Sequence, residues 1–210
     1  MGKRSFFPRL ALVNLVRNSR YYGPYLLSCG ALAAMYYILR FLTWNEVIQT
    51  VRGAAYLQVM MSIGCFVVAL FSAVLLLYAN SFVMKRRQKE LGLYNILGLE
   101  KRHIAALCFW ETLLCAAVVI PGGIAAGILL SKLILLLLLK LVQIPVQFGF
   151  SVSVRGVGET AALLGVLFLL ALLWNLLRLG RSRPIELLHS DSAGEREPKT
   201  KRLLAVLGLA

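Results

Sequence analysis

The chain has 210 residues, of which 60% are hydrophobic and 15% charged. A soluble domain carries about a quarter charged residues, so this composition excludes an ordinary soluble protein and predicts that much of the surface faces lipid. The formal net charge of +14 fits nucleic acid, an anionic membrane surface or a positive inner face, and the positions of the Lys and Arg residues decide among these.

Residues 1–20 mix basic and apolar side chains and contain Pro8, which suits the start of a helix. We interpret this segment as an interfacial amphipathic helix lying on the membrane. Residues 21–43 supply about the 20 apolar residues that a hydrocarbon core of about 30 Å requires, and aromatic Trp44 follows. They are the predicted first transmembrane span.

Residues 54–82 predict a second span that returns the chain to its starting side. The basic run Lys85–Glu90 comes next, and apolar residues at helical spacing continue to Leu99. The sequence therefore predicts a short amphipathic helix over 84–102, between the second and third spans.

Residues 103–142 form the ambiguous stretch, because a helix of this length reaches about 60 Å, twice the hydrocarbon thickness. Pro121 lies near its middle. The stretch is therefore either a hairpin of two short spans or one long kinked span. In the second case Gly123 and Gly127 form a small-residue face for close helix packing.

Residues 157–178 predict a fourth span, followed by a basic linker over 179–202. A single crossing by 103–142 places 18 of the 23 Lys and Arg residues on one side, which the positive-inside rule strongly favours. This topology makes the N-terminus cytoplasmic. Residues 203–210 begin another apolar segment too short to span, so we expect a truncated fifth span of a longer protein.

Four further charged residues have simple structural explanations beside functional ones. Glu111 in the third span is a functional candidate by default, but we favour a place near the headgroups with a cytoplasmic cation as partner. Glu159 is expected to cap the fourth span. Arg40 and Arg155 could meet an anionic substrate, although snorkelling at the outer surface explains them equally well.

The segment YANSF at Tyr78–Phe82 and the segment RRQKELGLYNILGL at Arg86–Leu99 resemble the signature of the FtsX-like ABC transporter permease family. More narrowly they resemble its bacitracin-export (Bce-type) branch, and the similarity extends over essentially the whole chain, including the tail motif RPIELLHS. The loop of about nine residues between the first two spans suits this branch, since other branches carry a large domain there. The large extracellular domain of the Bce-type layout would lie later in a longer chain.

The resemblance implies a permease subunit in the bacterial plasma membrane, paired with a separate ABC ATPase that binds the ATP. It also implies removal or export of cell-wall-directed antimicrobial peptides, contacted through the missing extracellular domain. The segment 84–102 matches the helix that meets the ATPase. There we predict Arg87 and Glu90 as polar contacts, with Leu93, Tyr94 and Leu97 as apolar anchors.

Catalysis is not expected, because the sequence contains no G-x-x-x-x-G-K-[ST] phosphate loop, G-x-S-x-G elbow or H-E-x-x-H pair. The four cysteines lie in apolar runs without a C-x-x-C pair, so no metal is expected, and we expect no other cofactor. No nucleic acid partner is expected either, because the Lys and Arg residues follow the positive-inside rule. Two alternatives remain open. One is a sensory or regulatory protein signalling to a membrane histidine kinase, and the other is an inactive truncated remnant.

Overall fold

A computed structural model describes residues 3–45, 53–96, 100–141 and 152–181. These residues form five α-helices and no strand, and they confirm the predicted all-α integral membrane protein. The helices are α1 (Lys3–Arg17), α2 (Ser19–Thr43), α3 (Ala54–Ile96), α4 (Lys101–Leu141) and α5 (Val154–Arg181). In this part of the chain four of them, α2 to α5, are long and apolar enough to cross a membrane.

Successive spanning helices run in opposite directions. Leu91 of α3, Ile104 of α4 and Leu179 of α5 share one buried cluster, so the end of α3, the start of α4 and the end of α5 meet. Tyr37 of α2 packs with Ile124 of α4 and Val157 of α5 in another cluster, further toward the other end. We call the end formed by α1, the first turns of α2 and the cluster around Leu91 the basic end, and the other the opposite end.

Helix α2 lies at the centre of the bundle, packed against α3, α4 and α5. Two glycines of α4 allow α2 and α4 to approach each other closely. A Cβ atom at Gly123 would lie 2.4 Å from the Ala33 Cβ atom, and one at Gly127 would lie 3.1 Å from the Ala34 Cα atom. Both distances are too short for ordinary contact, so the two glycines allow the backbones of α2 and α4 to meet.

Helix α4 runs without a break for 41 residues and contains Pro121. The hairpin alternative is therefore not the one that the structure adopts. Proline removes one backbone hydrogen bond, but a membrane helix tolerates that loss where neighbouring helices support it. The flanking residues Ile120 and Ile124 pack against α2, which holds the helix together on both sides of the proline.

The structure differs from the sequence interpretation beyond residue 82. Helix α3 has 43 residues and continues through the basic run to Ile96, instead of ending and giving way to a separate short helix. The sequence has no Pro or Gly between Gly64 and Gly92, so nothing in it interrupts the backbone hydrogen bonds at the membrane boundary. We call the predicted short helix over 84–102 the coupling segment. Its residues 84–96 are a direct extension of the second span, and its residues 101 and 102 are the first of α4.

The other boundaries differ by small amounts. Helix α1 begins at Lys3, so Pro8 lies inside it, and α5 extends three residues beyond the predicted fourth span at each end. The predicted linker lies outside the described residues from 182 onward, as does the expected fifth span. The interfacial role of α1 stays a prediction; Leu12, Val13 and Val16 are exposed apolar residues on the helix.

Candidate functional site

The extension of α3 beyond residue 82 has two faces with different surroundings. Residues 87, 91 and 94 follow helical spacing and point inward, where Leu91 is buried and Tyr94 packs beside it. Residues 86, 90, 93 and 97 share a second face by the same spacing. Leu93 is 52% exposed on that face, and Leu97 lies outside the described residues.

Arg87 points into the bundle and is 1% exposed. Its Nη1 atom forms an ion pair with Glu111 Oε2 of α4 and donates a hydrogen bond of 2.8 Å to the hydroxyl oxygen of Tyr22. The guanidinium carbon also lies 5.8 Å from the centre of the Tyr22 ring. Arg87 therefore has internal partners and presents no surface to an ATPase in this arrangement.

Glu111 is the acidic centre of this cluster and is 4% exposed. Asn14 Nδ2 of α1 donates to its Oε1 atom at 3.2 Å, and the Tyr22 hydroxyl donates to its Oε2 atom at 3.4 Å. The expected cationic partner of Glu111 is thus confirmed, and the carboxylate is enclosed by helices, whereas its expected place near the headgroups stays a prediction. A buried charge is stable only when it is paired and hydrogen-bonded, and here both conditions hold.

Glu90 links this cluster to the junction between α1 and α2. Its carboxylate accepts hydrogen bonds from Asn18 Nδ2 at 3.2 and 3.3 Å and from Arg87 Nε at 3.4 Å. The Glu90 side chain remains 35% exposed, so one part of it is available to a partner. The polar side chains around Arg87 and Glu111 consequently join four helices, α1 to α4.

A second buried polar contact joins α3 to α5 nearer the membrane centre. Asn80 and Asn175 exchange two hydrogen bonds of 2.9 and 3.1 Å. Both side chains, together with Glu111, line a cavity of about 20 Å³, which is space for one water molecule. Sequence reasoning missed this pair, although an asparagine inside an apolar span is a recognisable signal that a partner exists on another helix.

A charged cluster also forms at the opposite end. Arg40 Nε and Arg155 Nε lie 2.9 and 3.2 Å from the carboxylate oxygens of Glu159, and the Arg155 guanidinium carbon lies 3.6 Å from the centre of the Trp44 ring. Glu159 is not the cap that the sequence predicts for α5. Ser153 precedes α5, and its Oγ atom accepts a hydrogen bond of 3.1 Å from the Gly156 amide, whereas Glu159 lies more than a turn inside the helix.

Among the described residues, no three His, Cys, Asp or Glu side chains come together as metal ligands. At the basic end, the continuous helix α3 carries the exposed side chain of Leu93 and is joined to α4 by the ion pair between Arg87 and Glu111. Such an element can meet a soluble partner and pass a displacement to α3 and α4 together.

Comparison with known protein families gives one match that covers more than half of the chain. Residues 62–184 match the family described as FtsX-like permease C-terminal. The matched region begins in α3, includes the whole coupling segment and α4, and ends just beyond α5. It therefore contains both Arg87 and Glu111.

Curated relatives match along almost the whole chain. The bacitracin export permease proteins BceB of Bacillus subtilis and of Halalkalibacterium halodurans are 28% and 27% identical over 96% and 94% of this chain. An uncharacterized ABC transporter permease of Bacillus subtilis, YvcS, is 25% identical over 95% of it. These matches cover 31% to 32% of the relatives, so the chain spans about a third of their length.

Proposed function

Because this chain belongs to the FtsX-like permease family, we propose that it forms part of the transmembrane subunit of a bacterial ABC transporter of the Bce type. It lies in the plasma membrane as a multi-pass protein, with its basic end in the cytoplasm. A separate ATPase subunit binds and hydrolyses ATP, and this chain converts the resulting movement into displacement of its spanning helices.

The observation that carries the proposal is the geometry of the coupling segment. Helix α3 leaves the membrane unbroken, so a push on its exposed face around Leu93 and Glu90 reaches the spanning part without an intervening hinge. The Arg87–Glu111 ion pair transmits the same displacement to α4. An exposed leucine beside a partly exposed carboxylate is a suitable contact for a groove on a soluble protein.

The substrate class is inferred from the relatives that are named bacitracin export permeases. We propose a cell-wall-directed antimicrobial peptide as the substrate. A larger extracellular part of the full-length protein would contact the peptide, and the spanning helices described here would supply the movement.

The proposal is tested by replacing the exposed Leu93, and with it Leu97, the other predicted leucine anchor. Leu93→Asp, alone and combined with Leu97→Asp, should abolish co-purification of the partner ABC ATPase, because a carboxylate cannot enter an apolar groove without losing its hydration. The measurement is a pull-down from detergent-solubilised membranes with tagged permease.

Val16→Asp provides the matched control. Val16 is another exposed apolar residue near the basic end, but it lies on α1 and outside the coupling segment. It should leave ATPase association intact. Undiminished association of the Leu93→Asp/Leu97→Asp variant would overturn the docking site, and equal loss in the Val16→Asp variant would show that any new charge at this end has the same effect.

A further inference from the structure

A groove opens sideways from the bundle between α2 and α3, near the basic end. Its volume is about 310 Å³. One wall comes from the first three turns of α2 and the other from the last membrane-spanning turns of α3. The lining residues are Arg20, Tyr21, Pro24, Tyr25, Ser28, Tyr78, Ala79, Phe82 and Val83.

The end of the groove toward the basic end is cationic. Arg20 lines it directly, and the guanidinium carbon of Arg86 lies 5.3 Å from the centre of the Phe82 ring on the other wall. The lining includes no carboxylate. The carboxylate of the nearby Glu90 is not part of the lining and accepts hydrogen bonds from Asn18 Nδ2 and Arg87 Nε. Two guanidinium groups therefore flank an opening that faces the membrane.

The deeper part of the groove is apolar. From Arg20 to Ser28 the wall extends about 12 Å along α2. The Ser28 hydroxyl donates a hydrogen bond of 2.5 Å to the Pro24 carbonyl, so it needs no other polar partner. Across from it the side chains of Tyr78 and Phe82 are 72% and 46% exposed. The wall thus offers a hydrocarbon surface that begins below the cationic rim.

We propose that this groove binds an anionic phospholipid from the adjacent leaflet. The phosphate would lie between Arg20 and Arg86, which suit phosphate because guanidinium groups form paired charge-assisted hydrogen bonds. The first part of one acyl chain would follow the apolar wall toward Ser28. A side chain from another protein segment could fill the apolar part but would leave both guanidinium groups unpaired, which favours the lipid.

The proposal rests on the groove and its charge and does not depend on the transported substrate. It is tested with the purified 210-residue chain in phosphatidylcholine nanodiscs, by electron paramagnetic resonance of spin-labelled phosphatidylglycerol and spin-labelled phosphatidylcholine. The wild-type chain should immobilise phosphatidylglycerol preferentially. Arg20→Ala and Arg86→Ala should each lower that preference about fivefold, as expected for one basic residue near an anionic surface.

Two further variants separate a bound lipid from a general charge effect. Ser28→Phe should fill the apolar part and release the immobilised lipid while both arginines remain. Lys140→Ala removes an exposed cation near the opposite end of α4 and should leave the preference unchanged. Loss of the preference in Lys140→Ala, its retention in the Arg20→Ala/Arg86→Ala double variant, or its absence from the wild-type chain would each overturn the proposal.

Discussion

At the scale of single residues, the main feature inside the bundle is the ion pair between Arg87 and Glu111. Each charge alone would be costly among apolar helices, and the pair is stable because both groups also hold neutral partners, Tyr22 and Asn14. The pair leaves no net charge in the interior. It joins α3 to α4.

Removing one member of this pair should destabilise the protein strongly. Glu111→Ala removes the buried counter-charge of the Arg87 guanidinium and leaves only the partly exposed Glu90 carboxylate at 3.4 Å, at a cost of about 3–5 kcal/mol. Thermal unfolding of the purified protein in detergent should show a clear fall in the midpoint. The Arg87→Met/Glu111→Leu double variant should recover much of the loss, because no buried charge then remains.

The control for this prediction is a second ion pair of the same chemistry. Glu100 pairs with Arg102, but both side chains are largely exposed to solvent. Glu100→Ala should therefore change the midpoint very little, since exposed pairs contribute about 0–1 kcal/mol. Equal destabilisation by Glu111→Ala and Glu100→Ala would contradict the structural role of the buried pair.

Part of this arrangement can be predicted from the sequence. Helical spacing places Leu93 on the same face as residues 86, 90 and 97, and Arg87 about 100° away on the face of Leu91. That spacing alone separates Arg87 from the predicted docking surface. The choice of Glu111 as its partner could not be predicted, since Glu111 lies 24 positions further along the chain and on another helix. Asn80 and Asn175 are 95 residues apart, so the asparagine in each span indicates that a partner exists but not which residue it is.

At the scale of helices, the approach of α2 and α4 depends on Gly123. Gly123→Ala would place its Cβ atom 2.4 Å from that of Ala33, so the two helices must separate. Overpacking of this kind costs about 1–3 kcal/mol. The thermal unfolding midpoint should fall, and Ala33→Gly in the same chain should restore it only in part, because the added Cβ atom would still lie 2.9 Å from the Gly30 carbonyl oxygen.

The adjacent Gly122 supplies the matched control. A Cβ atom there would meet no atom within 4 Å. Gly122→Ala should keep or raise the midpoint, because alanine favours a helix over glycine by up to about 1 kcal/mol. A fall as large as that of Gly123→Ala would mean that glycine is needed for the helix itself and not for its contact with α2.

Hydropathy predicted the four spans well, and the charge distribution selected one long α4 over a hairpin. The extension of α3 was not predicted, because the apolar signal stops at residue 82 while the helix does not. Backbone hydrogen bonds continue wherever no residue interrupts them, whatever the polarity of the side chains. A boundary read from hydropathy therefore marks where the membrane ends and not where the helix ends.

At the scale of the whole molecule, most cations of the described residues lie at the basic end. Five of the 23 Lys and Arg residues lie away from the three basic segments: Arg40, Arg52, Lys132, Lys140 and Arg155. Of these, Arg40 and Arg155 share the carboxylate of Glu159 at the opposite end. The single crossing of α4 brings the end of α5 back to the basic end, so the tail that follows should lie on the same side as residues 85–102.

Cysteine labelling tests this topology directly. The native cysteines Cys29, Cys65, Cys108 and Cys115 are all free and buried, so a membrane-impermeant maleimide should label the unmodified chain weakly. In intact cells, Thr50→Cys between α2 and α3 should be labelled from outside. Ser192→Cys, in the tail after α5, should be labelled only after the membrane is opened.

The two positions check each other because an even number of spans must separate Ser192 from the N-terminus, and an odd number must separate Thr50 from it. Labelling of both from outside would require a further crossing that the continuous α4 does not provide. Labelling of Ser192→Cys alone would invert the whole molecule and place the coupling segment away from any cytoplasmic ATPase. Only external Thr50 with internal Ser192 agrees with the basic end as the surface that an ATPase meets.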